Sequence, residues 1–107
     1  MISKPGGDLR TIVITSKSGQ RFDDLQVVLE RISGDEGLTW TASEWLGRCK
    51  VTDSDASKVT FNCSTWLFPQ VGFRLGGPAS KPSNPLTIRV TLTDTGGARS
   101  SKDLEIN

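Results

Sequence analysis

The sequence predicts an all-β fold, and three observations carry that expectation. Val, Ile, Thr and Trp recur in short runs that alternate with polar residues, the pattern of strands buried on one face. Turn clusters rich in Gly, Ser, Asp and Pro separate those runs at short intervals, and there are 11 Gly in the 107 residues. Good helix formers are thinly spread, with Ala scarce. A hydrophobic content of 35% suits a small β domain, in which each strand buries only one side. The length is that of one domain, read as residues 8–107.

The elements follow in order. Met1–Gly7, with Pro5-Gly6-Gly7, reads as a linker or an introduced start, which would place any export signal upstream. Leu9–Thr15 is rich in β-branched residues and stops at Ser16-Lys17-Ser18-Gly19, so it reads as a strand. Phe22–Ile32 supports two readings. Leu25, Val28, Leu29 and Ile32 have helical spacing, and Asp23 and Gly34 stand where caps belong, which gives an α+β alternative with a helix at about 23–33. Leu25, Val27 and Leu29 also alternate as a half-buried strand would, and the neighbouring strands and turns favour that reading. Leu38–Ala42 alternates and reads as a strand. Arg48–Thr52 and Lys58–Cys63 flank the polar Asp53–Ser57 as a hairpin. Val71–Leu75 is a short strand, and Gly76–Pro85 is a loop. Leu86–Thr93 is the clearest element: Leu86, Ile88, Val90 and Leu92 share one face. The chain turns at Asp94-Thr95-Gly96-Gly97 and returns as a strand over Ala98–Ile106.

Cys49 and Cys63 stand symmetrically about Ala56. Symmetric positions of an antiparallel hairpin face each other, so the pair is within disulfide reach, and closing such a loop is worth about 3 kcal/mol in the chain-entropy picture. Two buried free thiols are the alternative. A disulfide implies an extracellular or cell-surface setting.

Catalytic chemistry finds little support. There is no His to activate a nucleophile and no Gly-x-Ser-x-Gly motif, so the chain is not expected to be an enzyme and no cofactor is implied. Asp53-Ser54-Asp55 starts like a calcium loop, but Lys58 stands where such a loop needs Gly and Ser64 where it needs Glu, so no metal site is assigned. Asn62-Cys63-Ser64 fits the N-glycosylation triplet but overlaps the cysteine pair. A net charge of +1 without a basic run argues against nucleic acid, and no apolar stretch is long enough to insert in a membrane as a helix. Three Trp and no Tyr are the unusual feature. Trp40 reads as core, whereas Trp45, Trp66 and Phe68 are the candidate ligand-binding residues. Flat aromatic faces stack on the apolar faces of sugar rings; the competing reading puts all of them in the core.

The segment Leu86–Ile106, with its Leu-Thr-Ile-Arg-Val-Thr-Leu-Thr-Asp-Thr-Gly-Gly run, resembles the closing hairpin of bacterial immunoglobulin-like modules of the polycystic-kidney-disease and cadherin-like types. Gly37–Ala42 is similar to an early strand of such modules. The resemblance covers about a quarter of the chain. The Trp-Asp-Phe-Gly-Asp-Gly signature and the cadherin calcium motifs are absent, and the Cys49/Cys63 hairpin is an addition, so no functional residue carries over. The resemblance implies an immunoglobulin-like antiparallel β-sandwich, a non-catalytic module of a larger surface or secreted protein. Adhesion, spacing or ligand binding would be its work, with a polysaccharide or surface protein as partner. A carbohydrate-binding module using the Trp residues and a structural component of a phage particle or surface appendage are the alternatives.

Overall fold

A computed structural model of the chain describes residues 2–3, 11–15, 21, 23–33, 41–55, 57–65, 69–76 and 86–106. They form nine strands: β1 (Ile2–Ser3), β2 (Thr11–Thr15), β3 (Leu25–Ser33), β4 (Thr41–Leu46), β5 (Arg48–Ser54), β6 (Lys58–Ser64), β7 (Gln70–Gly76), β8 (Leu86–Thr93) and β9 (Arg99–Ile106). Among the described residues there is no helix, and the all-β expectation holds.

The two readings of Phe22–Ile32 are resolved in favour of the strand. Of the four residues at helical spacing, only Leu25 and Leu29 are buried; Val28 is half-buried and Ile32 is 43% exposed. Leu25, Val27 and Leu29 together face the core, the period of two that a strand requires. β3 is hydrogen-bonded on both sides, to β6 and to β8, and these pairings outweigh a local helical signal. Ile32, which the helical spacing would bury, lies where the β3–β8 register shifts between Arg31 and Ser33.

The strands form two antiparallel sheets, ordered β1-β2-β7-β4 and β5-β6-β3-β8-β9. Set against an immunoglobulin sandwich, whose strands A to G make the sheets ABED and GFC, the order is compatible strand for strand. β1, β2, β7 and β4 fill the places A, B, E and D, and β9, β8 and β3 fill G, F and C. The remaining pair, β5 and β6, is a hairpin inserted between D and E that extends the second sheet beyond its C strand. Leu86–Ile106, the segment of the sequence resemblance, is the F–G hairpin. Ile2 and Ser3, within the stretch read as a linker, pair with Ile14 and Val13 of β2.

The core lies between the sheets. Ile12, Ile14, Val71, Phe73 and Leu75 come from the first; Leu25, Val27, Leu29, Phe61, Cys63, Ile88, Val90 and Leu104 come from the second. Phe61 and Phe73 meet across the layers with ring centroids 4.7 Å apart and planes tilted by 41°. β2 is buried along Thr11–Ile14, which explains its unbroken apolar Ile-Val-Ile run. The β8–β9 turn is a three-residue loop: Asp94 N–H donates to the Ala98 carbonyl, Gly97 N–H donates to the Asp94 carbonyl, and Gly97 has φ +86°. Asp94 Oδ1 also accepts from the N–H groups of Gly96 and Ala98, so one carboxylate holds the turn closed.

Two tests follow from this packing. Phe73→Ala should cost ~3–5 kcal/mol in urea unfolding, whereas Val51→Ala, at a position 52% exposed, should stay within about 0.5 kcal/mol. Gly97→Ala meets nothing within 4 Å and should cost about 1 kcal/mol for its left-handed backbone alone. Gly47→Ala should cost more in the same assay, because its φ is +78° and the added Cβ would lie 2.6 Å from Val71 Cγ1.

Candidate functional site

The chain changes sheets twice at one corner, once from β4 to β5 and once from β6 to β7. Gly47 makes the first crossing. A Cβ there would lie 3.2 Å from the Ser64 carbonyl and 3.3 Å from the Gln70 carbonyl, so the two crossings pass against each other. The corner therefore needs a residue with no side chain and a left-handed backbone, and only Gly supplies both.

Of the aromatic residues singled out in the sequence, Trp45 has its backbone beside this corner. Trp45 lies in β4, two residues before Gly47, where the β4–β7 register shifts between Glu44 and Leu46. The backbone places it at a bulge inside a strand. Trp66 and Phe68 lie outside the described residues, in the stretch joining Thr65 to Pro69, and Trp40 is outside them too. Ser64 and Gln70, one residue beyond either end of that stretch, are the residues whose carbonyls abut Gly47.

Cys49 and Cys63 stand at the same corner. They are directly opposed in the β5–β6 ladder, with Cα atoms 4.1 Å apart, and they are joined as a disulfide. Cys63 is fully buried and belongs to the core, and Cys49 is half-buried against it. The bond lies within the inserted hairpin, unlike the bridge between strands B and F of antibody domains. Glu44 completes the corner. It is opposite Phe73 and so faces the core side of the edge strand β4, and its Oε2 accepts a hydrogen bond from the Cys49 backbone N–H.

The hairpin departs from its symmetric reading near the tip. Cys49 and Val51 pair with Cys63 and Phe61, but Asp53 pairs with Thr60, so Thr52 is an extra residue. β5 accordingly runs to Ser54, and the tip is shorter than Asp53–Ser57. Asp55 organises it. Its Oδ1 accepts from Ser57 N–H at 2.8 Å, Lys58 N–H at 2.9 Å and Ser57 Oγ at 3.3 Å. A carboxylate so occupied is a turn device, the plain reading of this acidic tip. Among the described residues, no group of three or more His, Cys, Asp or Glu is placed to hold a metal ion.

The outer face of the five-stranded sheet is polar. Lys58, Glu30, Arg89 and Asp103 are register partners across β6, β3, β8 and β9, so charge alternates along the row. Arg89 closes it with a two-pronged contact to Asp103, Nε–Oδ1 2.9 Å and Nη2–Oδ2 3.2 Å. Asn62 of the glycosylation triplet is exposed on this sheet.

Sequence reasoning missed the treatment of the sheet edges. Lys102 is opposite the buried Val90, hence on the core-facing side of edge strand β9, as Glu44 is on β4. Edge β5 carries the Thr52 bulge, and β1 has only two residues. Charges on the inner side of an edge, bulges and short strands all obstruct the addition of a further strand. The parity of Ser100, Lys102, Leu104 and Ile106 was the available signal for Lys102; nothing local marked Glu44.

No protein-family model matches this chain, and neither a curated protein nor a solved structure matches it. The class is therefore defined by the fold alone, a disulfide-bearing antiparallel β-sandwich.

The carboxylates set an acid limit. Asp55 is held below the ordinary value of 3.8, chiefly by the Ser57 N–H, and Asp103 is held below it chiefly by its hydrogen bond to Arg89. A depressed folded-state pKa contributes stability above the unfolded value, and that contribution is lost as pH falls through the folded one. Carbon NMR titration should show both carboxyls titrating below 3.8. The Asp55 midpoint should return to the ordinary value on unfolding.

Proposed function

We propose that this chain is a non-catalytic, immunoglobulin-like module of the bacterial type, working outside the cytoplasm in adhesion or spacing as part of a larger surface or secreted protein. The observation that carries this reading is the strand order: seven strands fall into the ABED and GFC arrangement. The Cys49–Cys63 disulfide supports an oxidising compartment, where such bonds persist. The obstructed edges favour a unit that works as a monomer, and so count against the rival reading of a subunit that assembles by strand addition. Light scattering over a wide concentration range tests this. A monomer throughout is expected; a defined, concentration-dependent oligomer would replace the module reading with that of an assembly component.

A second reading concerns a ligand, and the corner favours it. The backbone brings the β4 bulge at Trp45 and the flanks of Trp66–Phe68 to the same crossing point, and bulges are frequent beside binding sites. We infer that this corner is where a polysaccharide would dock, with Trp45 and Trp66 stacking on sugar rings and Phe68 beside them. On a polysaccharide panel, Trp45→Ala and Trp66→Ala should each weaken binding about tenfold with an unchanged melting temperature. Binding that is indifferent to both variants, or a large loss of stability, would place these indoles in the core and leave the spacer reading alone.

A further inference from the structure

We infer that the Cys49–Cys63 bond is a thiol-exchangeable latch, attacked at Cys49, whose opening releases strand β5 and leaves the rest of the sandwich folded. Nothing in this inference depends on the ligand or on the adhesive role.

Strands β5 and β6 are held very differently. In β5 every residue is exposed except the half-buried Cys49, and even Val51, on the core-facing side opposite Phe61, is 52% exposed. In β6, Thr60, Phe61 and Cys63 are buried, and β3 pairs with it along Leu25–Glu30. β5 is tied by its ladder to β6, by Thr52 Oγ1 donating to the Thr60 carbonyl, by Cys49 N–H donating to Glu44, and by the disulfide. An edge strand with almost no buried apolar surface has low local stability, so the covalent bond dominates its retention. β6 keeps its place without that bond, because Phe61 and the β3 ladder hold it.

The two cysteines also differ in exposure. Cys63 is 0% exposed, whereas Cys49 is partly open to solvent. An incoming thiolate therefore reaches Cys49 Sγ. It bonds to that sulfur, the Cys49–Cys63 bond breaks, and its electron pair leaves on Cys63 Sγ, which takes up a proton. The second thiol of a dithiol reagent then attacks the mixed disulfide and expels Cys49 as a thiol, closing to the reagent's own disulfide. Two electrons and two protons pass from dithiol to protein. The Cys63 thiol that results is a small apolar group in an apolar site, so the core loses little.

The test treats the folded protein with glutathione and, separately, with dithiothreitol. Peptide mapping should find the glutathione adduct on Cys49. After dithiothreitol, amide exchange in β5 should rise at least about tenfold, with β2, β3, β7 and β8 unchanged. Cys49→Ser should reproduce the β5 exchange without reductant, and the reduced wild-type chain gives the same comparison if that variant fails to fold. An adduct on Cys63, reduction only after global unfolding, loss of protection throughout the domain, or an unaltered β5 would each overturn the inference.

Discussion

The rest of this structure depends on the closure of two apolar sheet faces upon each other, and the Phe61–Phe73 contact is the centre of that closure. Neither sheet is independently viable. Leu25, Val27 and Leu29 would lie open to water on one layer, and Ile12, Ile14 and Phe73 on the other. Because the contact joins β6 to β7, it also ties the inserted hairpin to the immunoglobulin-like frame. The insertion is thus unequal in its two halves, with β6 supplying core and β5 supplying surface.

The corner at Gly47 follows from the same closure. Two chain crossings between layers must fit where the sheets come together, and the close approach of the Ser64 and Gln70 carbonyls leaves no room for a Cβ. Glu44 lies on the inner side of its strand by register, yet at the edge, where it stays exposed. Its carboxylate accepts from a backbone N–H at the start of the next strand, and its charge guards the edge.

Much of the fold was legible in the sequence wherever local and long-range demands agree. Leu86–Thr93 alternates cleanly because one face of β8 meets the core and the other meets water, and its turn is written in Asp94 and Gly97. The cysteine pairing was legible because the register at the hairpin base is symmetric. Phe22–Ile32 was ambiguous because Val28 is half-buried on the outer face, so the apolar residues satisfy two periods at once. What settles it, pairing with β6 on one side and β8 on the other, comes from far along the chain. The bulges at Thr52 and Trp45 and the inward Glu44 were illegible for the same reason: each is defined by a partner strand. Of the candidate site, the disulfide was legible in full, while for Trp45 the sequence supplied the residue type and the backbone its place at a bulge; Trp66 and Phe68 lie outside the described residues.

Were the domain one of a series, the inward Lys102 of β9 would matter at its junctions. Modules strung on one chain meet their neighbours at effective concentrations on the order of millimolar, however dilute the whole protein is. Under that crowding, two bare edges would zip into a continuous sheet and jam both copies in a misfolded tandem. A lysine held on the core side of the outermost strand makes such a joint bury a charge against the neighbour's apolar layer. At the β9 edge, resistance to that fusion comes from this side chain, in a strand that otherwise contributes little to the core beyond Leu104.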